Sequence, residues 1–364
     1  MRIVQLMHSH GWGGAEQHLV QLATEQATRG HEVIFAGPHD SWLRENLAPA
    51  GVHTEHLRMS GLLDPFSHWR LRALVRDFAP DVVHAHGVRA SFYAGLAIGA
   101  HRDGVAIATA HSTGTRGHMR GCAQVIAVSH AVRRQLLAHG HAAGETPVVY
   151  NGVADMVTGL PRQRLRRSLG IAPGEFALCS AGRFIHDKGQ DLMVEALAQV
   201  RGPVVLCLFG DEGTEFGRHV GQLAKGDPRI RFMGFRDDAR NMLPAFDAYL
   251  CASRREAFGL SLAEASAASL PVIAPDVGGI AEVIRHGESG WLVPSENPLA
   301  LAEAINLLRG DGTLASALGR GGRQRYLEHF TVNRMVDETL DVYRDALSER
   351  AEADTGELAA VEAA

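Results

Sequence analysis

Two glutamates, Glu256 and Glu264, stand eight positions apart in the second half of the chain. The apolar run that begins after Phe258 and Gly259 predicts a helix between them. Eight helical residues rise about 12 Å, roughly the distance between the ribose and the sugar of an extended nucleotide-diphosphate sugar. A helix start also presents backbone N–H groups and the positive end of the helix dipole, which suit a diphosphate. This motif alone predicts either a nucleotide-sugar site or a solvated, capped helix.

A basic motif lies in the segment 182–189, whose sequence is GRFIHDKG. Lys188 is one of only two lysines in the chain, the other being Lys225. A lysine at a helix start opposes the helix dipole, and a bound diphosphate held with Arg183 would compensate for this. Asp187 and Gln190 have the spacing of a capping box, which predicts that Lys188 lies on the first helical turn. The alternative is a solvated lysine on a well-capped helix.

Glycines and histidines mark the strand ends of the first half. Gly13 and Gly14 follow the first predicted strand, where they allow close backbone approach to a ligand and leave amide donors available. The segment 37–39, GPH, stands where a dinucleotide-binding fold would carry an acidic residue for the ribose, so we exclude a nicotinamide dehydrogenase. His111 ends another strand and is a candidate ligand-binding residue. The alternative is a histidine that packs against the strand end or caps it.

Metal chemistry is not expected. His84 and His86 have the spacing of a metal pair on one face of a strand, but the sequence offers no evident third and fourth ligand. The chain also contains no D-x-D motif that would hold Mg²⁺ or Mn²⁺ on a nucleotide diphosphate. The four cysteines are scattered, and we interpret them as buried thiols, neither metal ligands nor disulfides.

Strand and helix patterns alternate twice along the 364 residues, which predicts an α/β protein with two doubly wound parallel-sheet (Rossmann-like) domains facing across a cleft. The predicted organisation is a first domain at 1–153, a linker at 154–170, a second domain at 171–330, a helix at 331–348 and a disordered Ala/Glu-rich tail at 349–364. The terminal helix has two possible positions: it returns to the first domain, or it packs on the second. A short strand predicted at 148–150 is the last strand of the first domain.

The order and spacing of these motifs resemble glycosyltransferase family 4, the retaining enzymes of the GT-B fold with an E-x7-E signature. Within this family the resemblance is to the bacterial enzymes of surface-polysaccharide and lipopolysaccharide synthesis. The segments 277–284 and 286–293 resemble the family's glycine turn and closing strand. The resemblance implies a metal-independent hexosyltransferase without a cofactor, in which 1–153 is the acceptor-side domain and 171–330 is the nucleotide-sugar-binding domain. The implied donor substrate is a nucleotide-diphosphate sugar, with a UDP-sugar favoured and GDP-mannose as the second choice.

The resemblance also implies a role for each site residue. Arg183, Lys188 and His111 would act with Glu256 in catalysis. The donor would further contact the backbone at Gly13 and Gly14, the base-binding loop at Phe235, and the turn and helix start at Phe258, Gly259 and Leu260. Glu264 would hold the ribose hydroxyls, and Glu256 would hold the hydroxyls of the donor sugar.

The expected acceptor is a saccharide or lipid-linked glycan of the cell envelope, reached in the cytoplasm or on the inner face of the membrane. A slightly basic first half could favour an anionic membrane, but its charge excess is too small for nucleic-acid binding. The segment 112–124 is short and basic, with Arg116, His118 and Arg120, where many relatives have helices, so the acceptor stays open. The alternatives are a nucleotide-sugar 2-epimerase and a non-catalytic partner subunit that binds nucleotide sugars.

Overall fold

The computed structural model describes residues 1–38, 40–99, 104–114, 119, 121–156 and 160–362, with the side chains of residues 354 and 356–362 left out of the description. The strands are β1 Arg2–Met7, β2 Glu32–Gly37, β3 His53–His56, β4 Val82–His86, β5 Val105–Ala110, β6 Gln124–Ala127, β7 Phe176–Ala181, β8 Val204–Phe209, β9 Ile230–Phe232, β10 Ala248–Leu250, β11 Val272–Pro275 and β12 Trp291–Val293. The α-helices are α1 Gly14–Thr28, α2 Trp42–Leu47, α3 Pro65–Phe78, α4 Val88–Ile98, α5 His130–Ala138, α6 Arg162–Ser168, α7 Gln190–Gln199, α8 Glu215–Leu223, α9 Leu260–Ala267, α10 Ile280–Val283, α11 Pro298–Gly310, α12 Gly312–His329 and α13 Val332–Glu362.

The strands form two six-stranded sheets of the same topology. The first has the order β3-β2-β1-β4-β5-β6 and the second the order β12-β11-β10-β7-β8-β9, and all strand pairs are parallel. The strand order reverses beside β1 and β4 in one sheet and beside β7 and β10 in the other, which is where ligands bind in such sheets. The two doubly wound sheets are confirmed. The strand predicted at 148–150 is wrong, because only an isolated bridge joins Ala127 to Val148.

The chain divides into two compact units, one formed by Met1–Gly152 with Val332–Ala364 and the other by Val153–Thr331. Helix α13 thus belongs to the first unit. Its apolar face, including Met335, Leu340 and Tyr343, packs with Ile3 and Ile107 in the core of that unit. The terminal helix therefore returns to the first domain, which is one of the two positions considered from the sequence.

Helix α13 also continues to Glu362, where the sequence analysis predicts a disordered tail from residue 349. Alanine and glutamate are strong helix formers, so this stretch extends the helix. Helix α6 lies within the predicted linker. The four cysteines are buried and free of disulfides, as predicted. None of the helices in the described ranges combines the length and apolar character needed to span a bilayer.

Candidate active site

The two charged motifs of the second unit meet where β7 and β10 end. Lys188 lies in a short 3-10 turn after β7, and Glu256 lies in the loop after β10. Lys188 Nζ donates a hydrogen bond to Glu256 Oε2 at 2.5 Å, and both side chains are mostly buried. Because β7 and β10 are neighbours in the sheet, their carboxyl ends bring the lysine and the carboxylate together.

The turn that carries Lys188 depends on Gly189. This residue has φ +65°, and a Cβ there would lie 2.0 Å from the carbonyl oxygen of Ala252, so only glycine fits without displacement. Helix α7 starts after it, with Gly189 as its N-cap. The predicted capping box is therefore wrong. Gln190 Nε2 donates instead to the carbonyl oxygen of Arg183 at 2.9 Å, and the Asp187 carbonyl accepts the N–H of Arg254 at 2.8 Å.

Arg254 joins the loops that hold the lysine and the glutamate. Its guanidinium donates two hydrogen bonds to the carboxylate of Asp191 at 2.9 and 2.8 Å and one to the carbonyl oxygen of His186 at 2.8 Å, while its Nε donates to Glu296 at 3.0 Å. Hydrogen bonding to Asp191 raises the pKa of Arg254. Burial acts to raise the pKa of Asp191, but the hydrogen bonds and charge of Arg254 outweigh it and lower that pKa.

Neither Arg254 nor Asp191 is among the site residues predicted from the sequence. The available signal is weak, namely an arginine two positions before Glu256 and an aspartate three positions after Lys188. Only the folded structure brings them into contact, between the loop of Glu256 and the first turn of α7.

The loop of Glu256 is held from the other side by the glycine turn at 278–279. A Cβ on Gly278, whose φ is +55°, would lie 2.0 Å from the Glu256 carbonyl oxygen, and the N–H of Gly279 donates to that oxygen at 3.0 Å. Helix α9 starts only at Leu260, so Glu256 lies before it. The prediction that the two glutamates are joined by eight helical residues is therefore wrong, and this loop decides their separation.

Helix α9 starts from Gly259, whose φ is +105° and which has no side chain to cap the helix. Leu260 opens the first turn. The Phe258 side chain is buried and its ring lies 5.5 Å from that of Phe330, so this residue can face a ligand only through its backbone. The Glu264 carboxylate, on the second turn, lies 3.8 Å from Nε of Arg240.

Two further predicted site residues are at the surface of the second unit. The Arg183 side chain is exposed and has no hydrogen bond or ion pair with any residue in the described ranges. Phe235 follows β9 and its side chain is 55% exposed. The neighbouring Arg236 forms two hydrogen bonds of 2.7 Å with Asp238. The side chains of Arg183 and Phe235 are thus both accessible at the surface of the second unit.

In the first unit, Gly13 and Gly14 lie at the start of α1, where Gly13 is the N-cap in an extended conformation. Glu16, on the first turn, accepts a 2.5 Å hydrogen bond from Ser9. The oxygen of Ser9 in turn accepts the N–H of Gly11 at 3.2 Å. A carboxylate therefore lies beside the helix start whose backbone amides are predicted to face the donor.

His111 follows β5 and belongs to a group of histidines. Its Nε2 lies 3.1 Å from Nδ1 of His86, and His86 Nε2 lies 2.8 Å from Oε1 of Gln5. His18 of α1 faces the same group, and one ligand nitrogen from each of His18, His86 and His111 lies within 4.8 Å of the others. The sequence shows no third ligand for a pair formed by His84 and His86, whereas the fold brings His18 and His111, which are distant in the chain, beside His86.

Burial sets the protonation of these rings. It lowers the pKa of His18 to about 4, although the Asn151 side chain lies close enough to raise it. Burial, with smaller contributions from neighbouring rings, also lowers the pKa values of His84, His86 and His111 well below the usual value. All four rings are therefore neutral at pH 7.

Residues Arg116, His118 and Arg120 of the basic segment lie outside the described residues.

Comparison with known families gives two matches that cover successive parts of the chain. The model of Glycosyltransferase Family 4 matches residues 12–155, and that of Glycosyl transferases group 1 matches residues 161–325. A lipopolysaccharide core biosynthesis glycosyltransferase, LpsD of Rhizobium meliloti, is 25% identical over 95% of this chain and 100% of its own length. N-acetyl-alpha-D-glucosaminyl L-malate synthase of Bacillus anthracis is 32% identical over 61% of this chain and 60% of its own length.

Solved structures show the same fold over nearly the whole chain. HepE of Anabaena, crystallised with UDP, superimposes with a TM-score of 0.86 at 23% identity, over 95% of this chain and 100% of that one. WaaG, a glycosyltransferase involved in lipopolysaccharide biosynthesis, gives a TM-score of 0.70 at 16% identity, over 94% and 99% of the two chains. With both family matches and this architecture, the chain belongs to the family 4 glycosyltransferases of the GT-B fold.

Proposed function

We propose that this glycosyltransferase moves a sugar from a UDP-sugar, with GDP-mannose as the second choice, to a saccharide or lipid-linked acceptor in cell-envelope polysaccharide synthesis. The observation that carries the proposal is the meeting of Lys188, Glu256 and the start of α9 at one edge of the second sheet. A cation, a carboxylate and a helix start are the groups that a diphosphate sugar requires.

The proposed reaction retains the configuration of the anomeric carbon. The bond between that carbon and the diphosphate oxygen breaks, and a bond to the acceptor oxygen forms on the same face, while the departing phosphate oxygen takes the acceptor proton. Arg183, Lys188 and the amides near Gly259 neutralise the leaving diphosphate, so no metal is required. Glu256 holds the hydroxyls of the donor sugar, and Glu264 those of the ribose.

In this proposal the ion pair of Lys188 with Glu256 places the diphosphate-binding cation beside the carboxylate that holds the donor sugar. The ammonium has three donor hydrogens, so it can face both Glu256 and a phosphate oxygen. Arg254 holds the backbone of the two loops through the His186 carbonyl and the Asp191 carboxylate.

UDP is preferred because HepE has been crystallised with UDP and with UDP-glucose. The envelope glycan is preferred because LpsD, which matches over its full length, is named for lipopolysaccharide core biosynthesis. The expected location is the cytoplasm and the inner face of the membrane.

A peripheral membrane contact is supported by three apolar side chains around the start of α3. Leu63, Phe66 and Trp69 are 81%, 78% and 70% exposed. Exposed Arg70 and Arg72 lie on the same helix. Aromatic side chains beside arginines suit the interface of an anionic bilayer.

Thermal stabilisation by UDP, GDP, ADP, CMP and dTDP tests the proposal first. A ligand at 100 times its Kd adds about 2.7 kcal/mol to stability. We expect one diphosphate, UDP before GDP, to raise Tm by several degrees. A chain that no nucleotide stabilises has no working donor site. Incubation with UDP-N-acetylglucosamine alone then separates a transferase, which only hydrolyses it slowly, from an epimerase, which converts it.

A further inference from the structure

A continuous set of buried polar contacts links helix α13 to His111 within the first unit. Tyr343 OH lies 2.6 Å from His84 Nδ1 and accepts from Gln26 Nε2 at 3.3 Å. Gln5 Nε2 donates to Gln26 Oε1 at 2.8 Å. The contacts of His86 with Gln5 Oε1 and with His111 complete the connection.

The donors and acceptors of this set can be assigned from one end. Tyr343 OH accepts from the glutamine amides, so its own proton goes to His84 Nδ1. A neutral His84 then carries its proton on Nε2, which donates to Thr109 Oγ1 at 2.7 Å. The glutamine side chains are oriented by the same contacts, and this leaves Gln5 Oε1 as the acceptor that faces His86.

The assignment continues through the next two rings. His86 donates from Nε2 to Gln5 Oε1, so its Nδ1 has no proton and must accept. The group that faces this nitrogen is His111 Nε2, at 3.1 Å, which therefore carries the proton. The other nitrogen of His111, Nδ1, is then an acceptor.

We propose that the chain of hydrogen bonds from Tyr343 to His86 holds His111 in the tautomer protonated on Nε2, so that its Nδ1 accepts a hydrogen bond from a sugar hydroxyl. Gln5, Gln26, His86 and Tyr343 are positioning residues in this scheme. The part that concerns the sugar rests on the proposed function. The tautomer of the unliganded protein does not.

The competing explanation for the short contact between His86 and His111 is a shared metal ion. His18 favours that explanation, because it is buried and neither of its ring nitrogens makes a well-aligned hydrogen bond within the described ranges. The hydrogen-bond chain accounts for the 3.1 Å contact with neutral rings alone and gives every nitrogen of His84 and His86 a partner. The experiment therefore includes zinc.

Nitrogen-15 NMR of histidine-labelled full-length protein, without ligand, measures the tautomers directly. We expect His84, His86 and His111 to be protonated on Nε2. Tyr343→Phe keeps the buried ring but removes the hydroxyl, and we expect His111 to become a mixture of two tautomers. Tyr326→Phe is the matched control, because Tyr326 is equally buried but its hydroxyl bonds to the Val153 carbonyl in the second unit. Gln5→Met serves as a second variant that removes the acceptor of His86.

Three results would overturn the inference. One is a His111 protonated on Nδ1 in the wild-type protein. Another is a tautomer unchanged in both Tyr343→Phe and Gln5→Met. The third is a joint shift of the His18, His86 and His111 signals at one equivalent of zinc chloride, which would identify a metal site.

Activity gives the second measurement once the donor is known. Tyr343→Phe should lower kcat about fivefold, the effect of one hydrogen bond, with KM for the donor unchanged. The NMR spectra are recorded without a donor. If none of the nucleotides stabilised the protein, the proposed function would be refuted, whereas the result on the His111 tautomer would still hold.

Discussion

Lys188 and Glu256 form a 2.5 Å ion pair although 68 positions separate them in the chain. The first follows β7 and the second follows β10, and the two loops are joined by Arg254 through Asp191. The groups predicted to bind the diphosphate and the donor sugar are thus in contact with each other.

Loss of Lys188 should weaken nucleotide binding. A hydrogen bond to a charged group contributes about 1.5–3 kcal/mol, so Lys188→Ala should raise the Kd of the preferred nucleoside diphosphate about 10- to 100-fold. Lys225→Ala is the matched control, because Lys225 is the other lysine of the chain and is exposed. Calorimetric titration measures both. Equal affinities in the two variants would remove Lys188 from the donor site.

The two glutamates should differ in what they affect. Glu264→Ala should raise the Kd for the nucleotide about tenfold, the loss of hydrogen bonds to the ribose. Glu256→Ala should lower kcat at least tenfold with a smaller change in nucleotide affinity, because it contacts the sugar. Steady-state kinetics with titration of the bare diphosphate separates the two effects. Wild-type behaviour in both variants would refute the assigned roles.

Arg254 should matter for both stability and turnover. Arg254→Ala leaves the largely buried Asp191 carboxylate without its two hydrogen bonds, so the free energy of unfolding should fall by about 1.5–3 kcal/mol. Arg255→Ala removes an exposed neighbour of the same type and should change it little. Urea denaturation measures both. A loss of kcat in Arg254→Ala under conditions where the variant is fully folded would show that it positions Lys188 and Glu256.

The exposed apolar side chains of α3 should control membrane binding. Burial of a large apolar side chain contributes about 1.5–3 kcal/mol, so Phe66→Ser with Trp69→Ser should reduce partitioning onto anionic vesicles more than tenfold. Leu299→Ser changes a similarly exposed apolar residue of the second unit and should have no effect. Co-sedimentation with phosphatidylglycerol vesicles measures the partition. Wild-type protein that stays in the supernatant would disprove the membrane contact.

Acid should destabilise the first unit through its buried histidines. The folded-state pKa of His18 is lowered to about 4, so between about pH 6.5 and 4 the unfolded chain binds a proton that the folded chain does not. The free energy of unfolding then falls with decreasing pH, by about 1.4 kcal/mol per pH unit for each such histidine.

Denaturation curves at pH 7.5, 6.5 and 5.5 measure this slope. His18→Asn should reduce it by about one proton. His219→Asn, in the second unit, is the control. The same slope in wild type and His18→Asn would show that His18 is protonated equally in the folded and unfolded chains.

The sequence by itself determined the fold class and most of the elements, because buried parallel strands appear as short apolar runs that local patterning reveals. Residue type and spacing also predict which side chains hold a diphosphate sugar, namely Lys188, Glu256 and Glu264. The capping box at Asp187 and the helix between the glutamates were wrong. Gly189, which has positive φ and packs against the carbonyl of Ala252, 63 positions away, decides where the first helix starts; Gly259 has positive φ at the start of the second, and the Glu256 carbonyl is held by Gly278 and Gly279, 22 and 23 positions away.

Only the tertiary structure decided the ion pair of Lys188 with Glu256, the link through Arg254, and the meeting of His18, His86 and His111. These contacts join loops, strands and helices that are distant in the chain and become neighbours only in the folded units. Local patterning reports which face of an element is buried, but the partner of each buried polar group is chosen by the packing of the whole unit. Tyr343 illustrates this, because the fold alone places its hydroxyl beside His84.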